Sequence, residues 1–280
     1  MSTNSDQRDF WTDEAGPVWI DQRAAMDDIL AGVLDGILRR AELDTGHSVL
    51  DIGCGAGTST LAISERVGEA GHVTGIDISR TLLKAAHARL TNQTNIAFLD
   101  VDAQSHPFVT DSADRIVSRF GVMFFDDNIS AFRNMASALR ADAMVCFAVW
   151  GAIAENPFFT LPAQVSRNIL GPVPKSDPDA PGPFSLRDPD HIHKMMRDAG
   201  LEAQIEVVQE PLVCSAGAQA LAETMCHIGP AHMALAHYNA DAEMRDALKG
   251  ALVEALGAYQ SGDTITLPAQ INYVTARKSS

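Results

Sequence analysis

The sequence is poor in cysteine, and its four cysteines have no paired spacing. Cys54, Cys146, Cys214 and Cys226 lie far apart in a chain of 280 residues, and none belongs to a CxxC motif. Neither a disulfide framework nor a metal site is predicted, because both need closely spaced ligands. We expect four reduced, mostly buried thiols, which are typical of a cytoplasmic protein.

Basic residues and long apolar runs are also scarce. Lysine and arginine total 21 against 36 aspartates and glutamates, a formal net charge of −15, which disfavours nucleic acid as a partner. The longest nearly apolar run, residues 143–154, is too short to cross a bilayer. We expect no signal segment, because the N-terminal residues are polar. We expect a small-molecule substrate, no membrane insertion and a cytoplasmic location, and we leave a homodimer open.

Short apolar segments alternate five times with amphipathic segments between residues 47 and 150. This alternation predicts a parallel sheet with helices on both faces. Two further strands are predicted, one at "EAQIEVVQEPLVC" and one at "TITLPAQINYVTAR", with a long helical stretch between them. Another helix is predicted over residues 21–42 from its apolar periodicity.

We expect one domain over residues 1–280. Within it, residues 1–45 form an N-terminal helical cap, residues 46–150 form the cofactor-binding core, and residues 151–187 and 215–260 form insertions on the substrate side. Eight of the thirteen prolines lie between Pro157 and Pro189, so residues 171–187 cannot form a regular element. A long proline-rich loop of this kind is typical of a lid over a site.

The stretch "VLDIGCGAGTST", residues 49–60, places Gly53, Gly55 and Gly57 in a turn between a predicted strand and a predicted helix. Such turns bind nucleotides. A dinucleotide site has the spacing G-x-G-x-x-G, but Thr58 occupies the third position of that pattern here. The closer spacing lets a ligand lie against the backbone and is less suited to a diphosphate.

Acidic residues end the first three predicted strands. Asp51 would repel a pyrophosphate but suits a ligand with an ammonium group, such as S-adenosylmethionine. Asp77, in "GIDIS", can accept hydrogen bonds from both ribose hydroxyls, which suits NAD and S-adenosylmethionine alike. Asp102 can accept from an adenine amine while the Ala103 amide reaches a ring nitrogen. Together, the three acids indicate a cofactor without phosphate, S-adenosylmethionine.

This constellation resembles the class I S-adenosylmethionine-dependent methyltransferases. "VLDIGCGAGTST" is similar to their first motif, "GIDIS" to their second-strand acid, "DAQSHPF" to their adenine-binding segment, and "DRIVSRFGVMFFDD" to their fourth-strand motif. The nearest branch contains the ubiquinone and menaquinone biosynthesis C-methyltransferases. The resemblance implies an α/β fold with a Rossmann-like doubly wound sheet: seven strands, mostly parallel, with the last antiparallel, and helical lid insertions. One departure is "LRADAM", where the family often has Pro-Gly-Gly before the fifth strand.

The implied reaction is methyl transfer to a small-molecule acceptor by in-line displacement, which leaves S-adenosylhomocysteine. Whether the acceptor atom is O, N, S or C stays open. The expected cofactor-binding residues are Asp51, Gly53, Cys54, Gly55, Gly57, Thr58, Asp77, Ile78, Asp102, Ala103, Ser118, Arg119, Trp19 and Gln22. The expected acceptor pocket contains Phe120, Met123, Trp150 and Asn156.

No catalytic base is assigned, because a base is needed only when the acceptor still carries its proton. The weak candidates are His191, His227, His232 and Tyr238. A metal site is not expected from the histidines, because three of them recur at five-residue intervals that do not share a helix face. Two roles stay open for Arg119: it holds a carboxylate of the acceptor, or, as we favour, it forms a structural ion pair with an acid such as Asp126.

Two other functions are considered. An NAD-dependent oxidoreductase is disfavoured by Thr58 and by Asp51. A non-catalytic scaffold that keeps the cofactor fold is disfavoured because all three cofactor acids are present.

Overall fold

In the computed structural model, which describes residues 4–175 and 177–279, eight strands form one mixed sheet. The strands are β1 (Ser48–Ile52), β2 (His72–Asp77), β3 (Ile96–Asp100), β4 (Ala113–Arg119), β5 (Leu139–Trp150), β6 (Leu201–Cys214), β7 (Gln260–Ser261) and β8 (Thr264–Lys278). Their order is β3-β2-β1-β4-β5-β8-β6, and the two-residue β7 pairs with β8.

The first five strands are parallel, whereas β8 runs antiparallel between β5 and β6. This topology confirms the predicted doubly wound sheet with an antiparallel last strand, and the short β7 accounts for the eighth strand. The central strands are apolar on both faces because helices cover both: Val117 and residues 143–150 of β5 are buried.

Helices cover the sheet and cap its end. They are α1 (Ser5–Asp9), α2 (Ala15–Asp21), α3 (Arg23–Ile29), α4 (Ala31–Arg40), α5 (Thr58–Val67), α6 (Arg80–Ala88), α7 (Asn128–Ser137), α8 (Pro157–Ile169), α9 (Pro189–Asp198), α10 (Gly217–His227), α11 (Pro230–His237) and α12 (Ala242–Leu256). A π-helical turn, Phe10–Glu14, joins α1 to α2.

Several helices begin or end at the residues predicted from the sequence. Helix α5 begins directly after Gly57, and Gly68 follows its last residue with a φ of 64°. The Ser79 hydroxyl accepts a hydrogen bond from the Leu82 amide at 3.2 Å and caps α6. The Asp188 side chain accepts from the Asp190 amide at the start of α9.

The prediction of one continuous helix over residues 21–42 is wrong. Leu30 has φ −98° and ψ 10°, which separates α3 from α4. Leu30 is buried, so the break lets both helices turn apolar side chains toward the core. The structure also has helices over residues 5–21, for which the predicted N-terminal cap gave no individual bounds, because their apolar positions lack a clear 3.6-residue period.

The segments before α9 and after β6 differ in regular structure. Helices α10, α11 and α12 separate β6 from β8. Residues 171–187 contain no regular element among those described. They contact the short 3₁₀ turn after β4 (Gly121–Phe124), where the Met123 carbonyl accepts from the Gly182 amide at 3.0 Å and from the Ser185 hydroxyl at 2.7 Å. In "LRADAM", Asp142 adopts the left-handed conformation, with φ 62°, that glycine adopts readily.

Three properties bear on function. All four cysteines are buried and unpaired. In the part of the chain that the structure describes, no helix is both long and apolar enough to span a membrane. The described residues also contain no group of three side chains arranged to ligate a metal.

Candidate active site

A cavity of about 530 Å³ lies at the carboxyl ends of the strands, where ligands bind in open α/β sheets. Its volume is within the range of small-molecule sites, roughly 300–1,000 Å³. Residues from β1, β2, β4 and β5 form its floor, and α1–α3 cover it from the N-terminal side.

The glycine turn after β1 forms one wall of the cavity. Gly53 and Gly55 have φ values of 65° and 55°, which side chains rarely adopt. A Cβ atom on Gly53 would come 2.5 Å from the Gly121 Cα, so this glycine permits a close contact between two backbone segments. A Cβ atom on Gly55 would meet nothing within 4 Å and would instead enter open space beside the cavity wall.

Asp77 connects the glycine turn to the end of β2. Its Oδ2 accepts from the Gly55 amide at 2.8 Å, and its Oδ1 accepts from the Ser79 amide at 2.8 Å. Burial raises the pKa of Asp77 to about 6. Because each carboxylate oxygen can accept more than one hydrogen bond, the side chain keeps capacity for a ligand's hydroxyls.

Asp102 lies at the cavity wall beyond β3. Its Oδ1 accepts from the Gln104 amide at 2.9 Å, while its buried Oδ2 has no hydrogen-bond partner among the described residues. A buried carboxylate oxygen without a partner is costly, and an amine of a ligand would satisfy it. Together with the open space at Gly55 and the acceptor capacity of Asp77, this oxygen fits an adenosine group.

Asp51 does not line the cavity. It is fully buried behind the glycine turn, where its Oδ2 accepts from the Ser59 hydroxyl at 2.7 Å and from the Thr60 hydroxyl at 2.6 Å. Burial raises the pKa of Asp51. The described geometry therefore places it as a support for the first turn of α5 rather than at the ligand surface.

Arg119 pairs with Asp27 rather than with Asp126. Its Nη2 lies 3.3 Å from the Asp27 Oδ1, because α3 crosses the end of β4, whereas Asp126 is exposed beyond the next turn. Asp27 also accepts from the Thr58 hydroxyl at 2.8 Å and pairs with Arg23 at 3.4 Å. The expectation of a structural ion pair is met, but the partner is a residue that the sequence analysis did not name.

Aromatic rings form the far end of the cavity. Phe120, with φ 65°, stacks on Trp150 with ring centroids 4.5 Å apart and an interplanar angle of 9°. Phe159 meets the Trp150 ring edge-on at 5.0 Å, and Phe158 and Pro183 complete this wall. This end of the cavity suits a flat, largely apolar molecule.

The structure brings most of the predicted residues to the cavity. The predicted residues that line it are Gly53, Cys54, Gly55, Thr58, Asp77, Ile78, Asp102, Ala103, Arg119, Trp19, Phe120, Met123 and Trp150. Those outside the lining are Asp51, Gly57, Ser118, Gln22 and Asn156. Ser118 instead donates to the Ile52 carbonyl at 2.7 Å, and the Gln22 side chain accepts from the Thr224 hydroxyl at 3.1 Å.

Asn156 was expected in the acceptor pocket, but it is fully buried just before α8. Its side-chain amide donates to the Ala152 carbonyl at 2.8 Å, which stabilises the turn leading into that helix. We therefore leave Asn156 out of the proposed pocket.

Only one of the four base candidates, His232, lines the cavity as described, and it is exposed to solvent. His191 is exposed on α9, and the His227 Nδ1 is 2.8 Å from the Glu223 carbonyl. The Tyr238 hydroxyl donates to the Pro172 carbonyl at 2.8 Å and so tethers the proline-rich loop.

An N-terminal cap that contributes Trp19 to the site was predicted, but several of its other lining residues were not. Phe10, Arg23, Met26 and Asp27 line the cavity although they precede the glycine motif by many residues. The Trp11 carbonyl accepts from the Ser79 hydroxyl at 2.7 Å, which ties this segment to the start of α6. No local motif signals such a contact, because it depends on how α1–α3 fold back over the sheet.

Residues 49–142 match a family model described as a methyltransferase domain. The demethylmenaquinone methyltransferase of Staphylococcus epidermidis is 32% identical over 109 residues, which are 39% of this chain and 45% of that protein. The corresponding protein of Staphylococcus aureus is 34% identical over 100 residues, 36% of this chain and 42% of that protein. The chain thus matches less than half the length of these curated relatives.

Solved structures share the fold over most of the chain. The YcgJ protein of Bacillus subtilis has a TM-score of 0.55 and 22% identity, covering 88% of this chain and 98% of that one. A phosphoethanolamine N-methyltransferase of Haemonchus contortus, solved with S-adenosylhomocysteine, has a TM-score of 0.55 and 18% identity, covering 89% of this chain and 52% of that one. These structures confirm the predicted Rossmann-like fold. The resemblance to methyltransferases in sequence is confirmed over residues 49–142, the segment that matches the methyltransferase domain model.

The same fold also occurs in the (4+2)-cyclase SpnF, which has a TM-score of 0.55 and 20% identity and covers 88% of this chain and 80% of that one. The fold therefore serves more than one reaction, and the function of this chain has to be argued from its site.

Proposed function

We propose that this protein transfers a methyl group from S-adenosylmethionine to a small, largely apolar acceptor. The observation that carries the proposal is the G-x-G-x-G turn at the cavity wall, joined through its Gly55 amide to the Asp77 carboxylate, which the Ser79 amide also holds. Asp77 would accept from the ribose hydroxyls, and Asp102 from the adenine amine. The relatives named as methyltransferases support this proposal over the matched segment.

When bound, S-adenosylmethionine supplies a methyl group already activated on a sulfonium. The chain's own task is to hold donor and acceptor in line and to exclude water. The Phe120–Trp150 stack would position a flat acceptor, and α1–α3 would cover the opposite side. His232 is the one candidate base that lines the cavity, and its exposure favours an acceptor that needs little help in losing a proton.

An NAD-dependent oxidoreductase is not favoured. The glycine turn has the spacing G-x-G-x-G, and Thr58 occupies the third position of the dinucleotide pattern G-x-G-x-x-G, where a glycine allows helix and strand to pack closely around a pyrophosphate site.

We extend the proposal to the organisation of the chain. Residues 1–45 would act as the cap, residues 46–150 as the cofactor core, and residues 151–187 and 215–260 as the acceptor side, since Trp19, Pro183 and His232 from the cap and both insertions line the cavity. A cytoplasmic location is supported by the four unpaired cysteines. A homodimer stays a prediction that light scattering would check.

The test is transfer of a labelled methyl group from S-adenosylmethionine into a metabolite extract. The protein should label at least one small molecule, whereas the Asp77→Ala variant should label it far more slowly. An absence of protein-dependent labelling across extracts, with the cofactor shown to bind, would contradict methyl transfer and favour a scaffold role.

A further inference from the structure

One wall of the cavity carries a cluster of opposite charges that the proposed adenosine contacts do not use. Asp27, from α3, and Arg119, from the end of β4, form an ion pair of 3.3 Å there. Both side chains are largely buried, with 22% and 15% of their surface exposed. The residues therefore form part of the wall rather than a solvated surface pair.

Arginines gather at this point, although the protein as a whole is acidic. The guanidinium groups of Arg23 and Arg119 pair with the Asp27 carboxylate, and that of Arg89 lies nearby. Arg89 donates to the Thr58 hydroxyl at 2.7 Å, and Thr58 in turn donates to Asp27. Burial, followed by the neighbouring charge of Arg23, lowers the pKa of Arg89, while the Asp27 carboxylate opposes this shift.

Arg119 also has an unsatisfied donor. Its Nη1 is buried and has no hydrogen-bond partner among the described residues. A buried cationic donor without an acceptor is costly, and an anionic ligand group at this wall would remove that cost.

The cluster lies at a defined place relative to Asp77. The Gly55 amide binds Asp77, and Thr58, three residues further along the same turn, binds Asp27. A ligand whose ribose contacts Asp77 and whose chain follows the glycine turn therefore reaches Asp27 and Arg119. Asp51 does not line the cavity there: its Oδ2 accepts from Ser59 and Thr60, and its Oδ1 is buried without a hydrogen-bond partner among the described residues.

We propose that Asp27 and Arg119 bind the amino-acid end of the cofactor, with the carboxylate of Asp27 accepting from its ammonium group and the guanidinium of Arg119 donating to its carboxylate. This inference rests on the proposed function, because it takes S-adenosylmethionine as the ligand. It assigns recognition of the zwitterion to the N-terminal cap and the end of β4, instead of to Asp51. Asp27 lies outside the segment that matches the methyltransferase family model.

The test is calorimetric titration of three ligands that differ only at this end. S-adenosylhomocysteine carries both charges, its decarboxylated analogue keeps only the amine, and 5′-methylthioadenosine has neither. Asp27→Asn should lower the affinity for S-adenosylhomocysteine and for its decarboxylated analogue about 10- to 100-fold, since each charge-assisted hydrogen bond is worth that much. The affinity for 5′-methylthioadenosine should stay within about twofold. Arg119→Gln should lower the affinity for S-adenosylhomocysteine and leave the affinities for the other two ligands unchanged.

Controls separate binding from folding. Asp35→Asn makes the same charge change on an exposed residue of α4 and should bind all three ligands like the unmodified protein. If Arg119→Gln unfolds at a markedly lower temperature than the unmodified protein, Arg119→Lys serves instead, because it keeps the positive charge beside Asp27. It should still lower the affinity for S-adenosylhomocysteine selectively, because lysine lacks the paired donors of a guanidinium group. Circular dichroism of each variant reports its fold.

Two results would overturn the inference. If the Asp27 and Arg119 variants lost affinity equally for all three ligands, or lost none for S-adenosylhomocysteine, the Asp27–Arg119 pair would be structural while the proposed function would stand. If the unmodified protein bound none of the three ligands, the proposed function itself would fail and the inference with it.

Discussion

The Gly55 amide donates a 2.8 Å hydrogen bond to the Asp77 Oδ2, which joins the glycine turn after β1 to the acid at the end of β2. This bond holds the turn and the acid in one rigid arrangement at the cavity wall. The positions of the glycine turn and of the Asp77 side chain therefore depend on each other, and a substitution in either one should alter the surface that contacts the ligand.

Removal of the Asp77 side chain should weaken binding of S-adenosylhomocysteine by about 100-fold, because two charge-assisted hydrogen bonds to ribose would be lost. Isothermal titration of Asp77→Ala against the unmodified protein measures this loss. Asp35→Ala, an exposed acid on α4, serves as the matched control and should bind normally. Unchanged affinity of a folded Asp77→Ala variant would refute the ribose assignment.

Cofactor binding should depend on pH through Asp77. Burial raises its pKa to about 6 in the ligand-free protein, and the ionised carboxylate is the better acceptor for hydroxyls. Affinity should thus fall by about tenfold between pH 7 and pH 5, as the ionised fraction falls. Titrations of S-adenosylhomocysteine across this range test the prediction, and a slope that persists in Asp77→Asn would contradict it.

The raised pKa of Asp77 affects the stability of the ligand-free protein in the opposite direction: stability should fall, not rise, with increasing pH. A carboxyl group whose pKa is higher in the folded than in the unfolded state stabilises the fold only when it is protonated. Its contribution to the free energy of unfolding, about 3 kcal/mol for a shift of about two units, should be lost as the pH rises from about 4 to about 6. Urea unfolding of the unmodified protein and of Asp77→Asn over this range would show the difference, and parallel pH profiles would argue against it.

The two glycines of the turn should respond differently to alanine. Gly53→Ala would drive a Cβ to within 2.5 Å of the Gly121 Cα, so the fold should be lost or strongly destabilised. The added Cβ of Gly55→Ala would meet no atom within 4 Å, so the free energy of unfolding should fall by only about 1–2 kcal/mol, the cost of a left-handed backbone at alanine. Its methyl group should weaken ligand binding, because it would enter the ligand surface. Melting curves and titrations distinguish these outcomes, and equal destabilisation of both variants would contradict the described turn.

A second pair of glycines tests the packing of the cap. Gly36, in α4, faces Tyr273, whose hydroxyl would lie 2.2 Å from an added Cβ, whereas Gly250 in α12 has open space around it. Gly36→Ala should therefore destabilise the protein. Gly250→Ala should stabilise it by about 0.5–1 kcal/mol, because alanine is the better helix former. Denaturant unfolding measures both, and stabilisation by Gly36→Ala would show that α4 is packed otherwise.

The sheet could be predicted because each strand carries its own signal. The alternation of apolar and amphipathic segments predicted the parallel core, and Gly57, Gly68 and Ser79 predicted where α5 and α6 begin or end. Asp77 and Asp102 could be placed at the site because the carboxyl ends of neighbouring parallel strands meet at one edge.

The rest of the site depends on contacts between segments far apart in sequence. Asp27 could not be recognised as the partner of Arg119, because the two are brought together only by the fold of α3 across the end of β4. Asp51 looked like a ligand residue from its position before the glycines, but its side chain turns toward the hydroxyls of Ser59 and Thr60. Side-chain direction at a strand end is not encoded by spacing alone.

The most direct test of the central claim is a calorimetric comparison of S-adenosylhomocysteine with NAD on the full chain. The account predicts one-to-one binding of S-adenosylhomocysteine in the micromolar range, typical of a small-molecule site, and no measurable heat with NAD. Binding of NAD in preference to S-adenosylhomocysteine, or of neither, would contradict the assignment of this cavity to a phosphate-free cofactor.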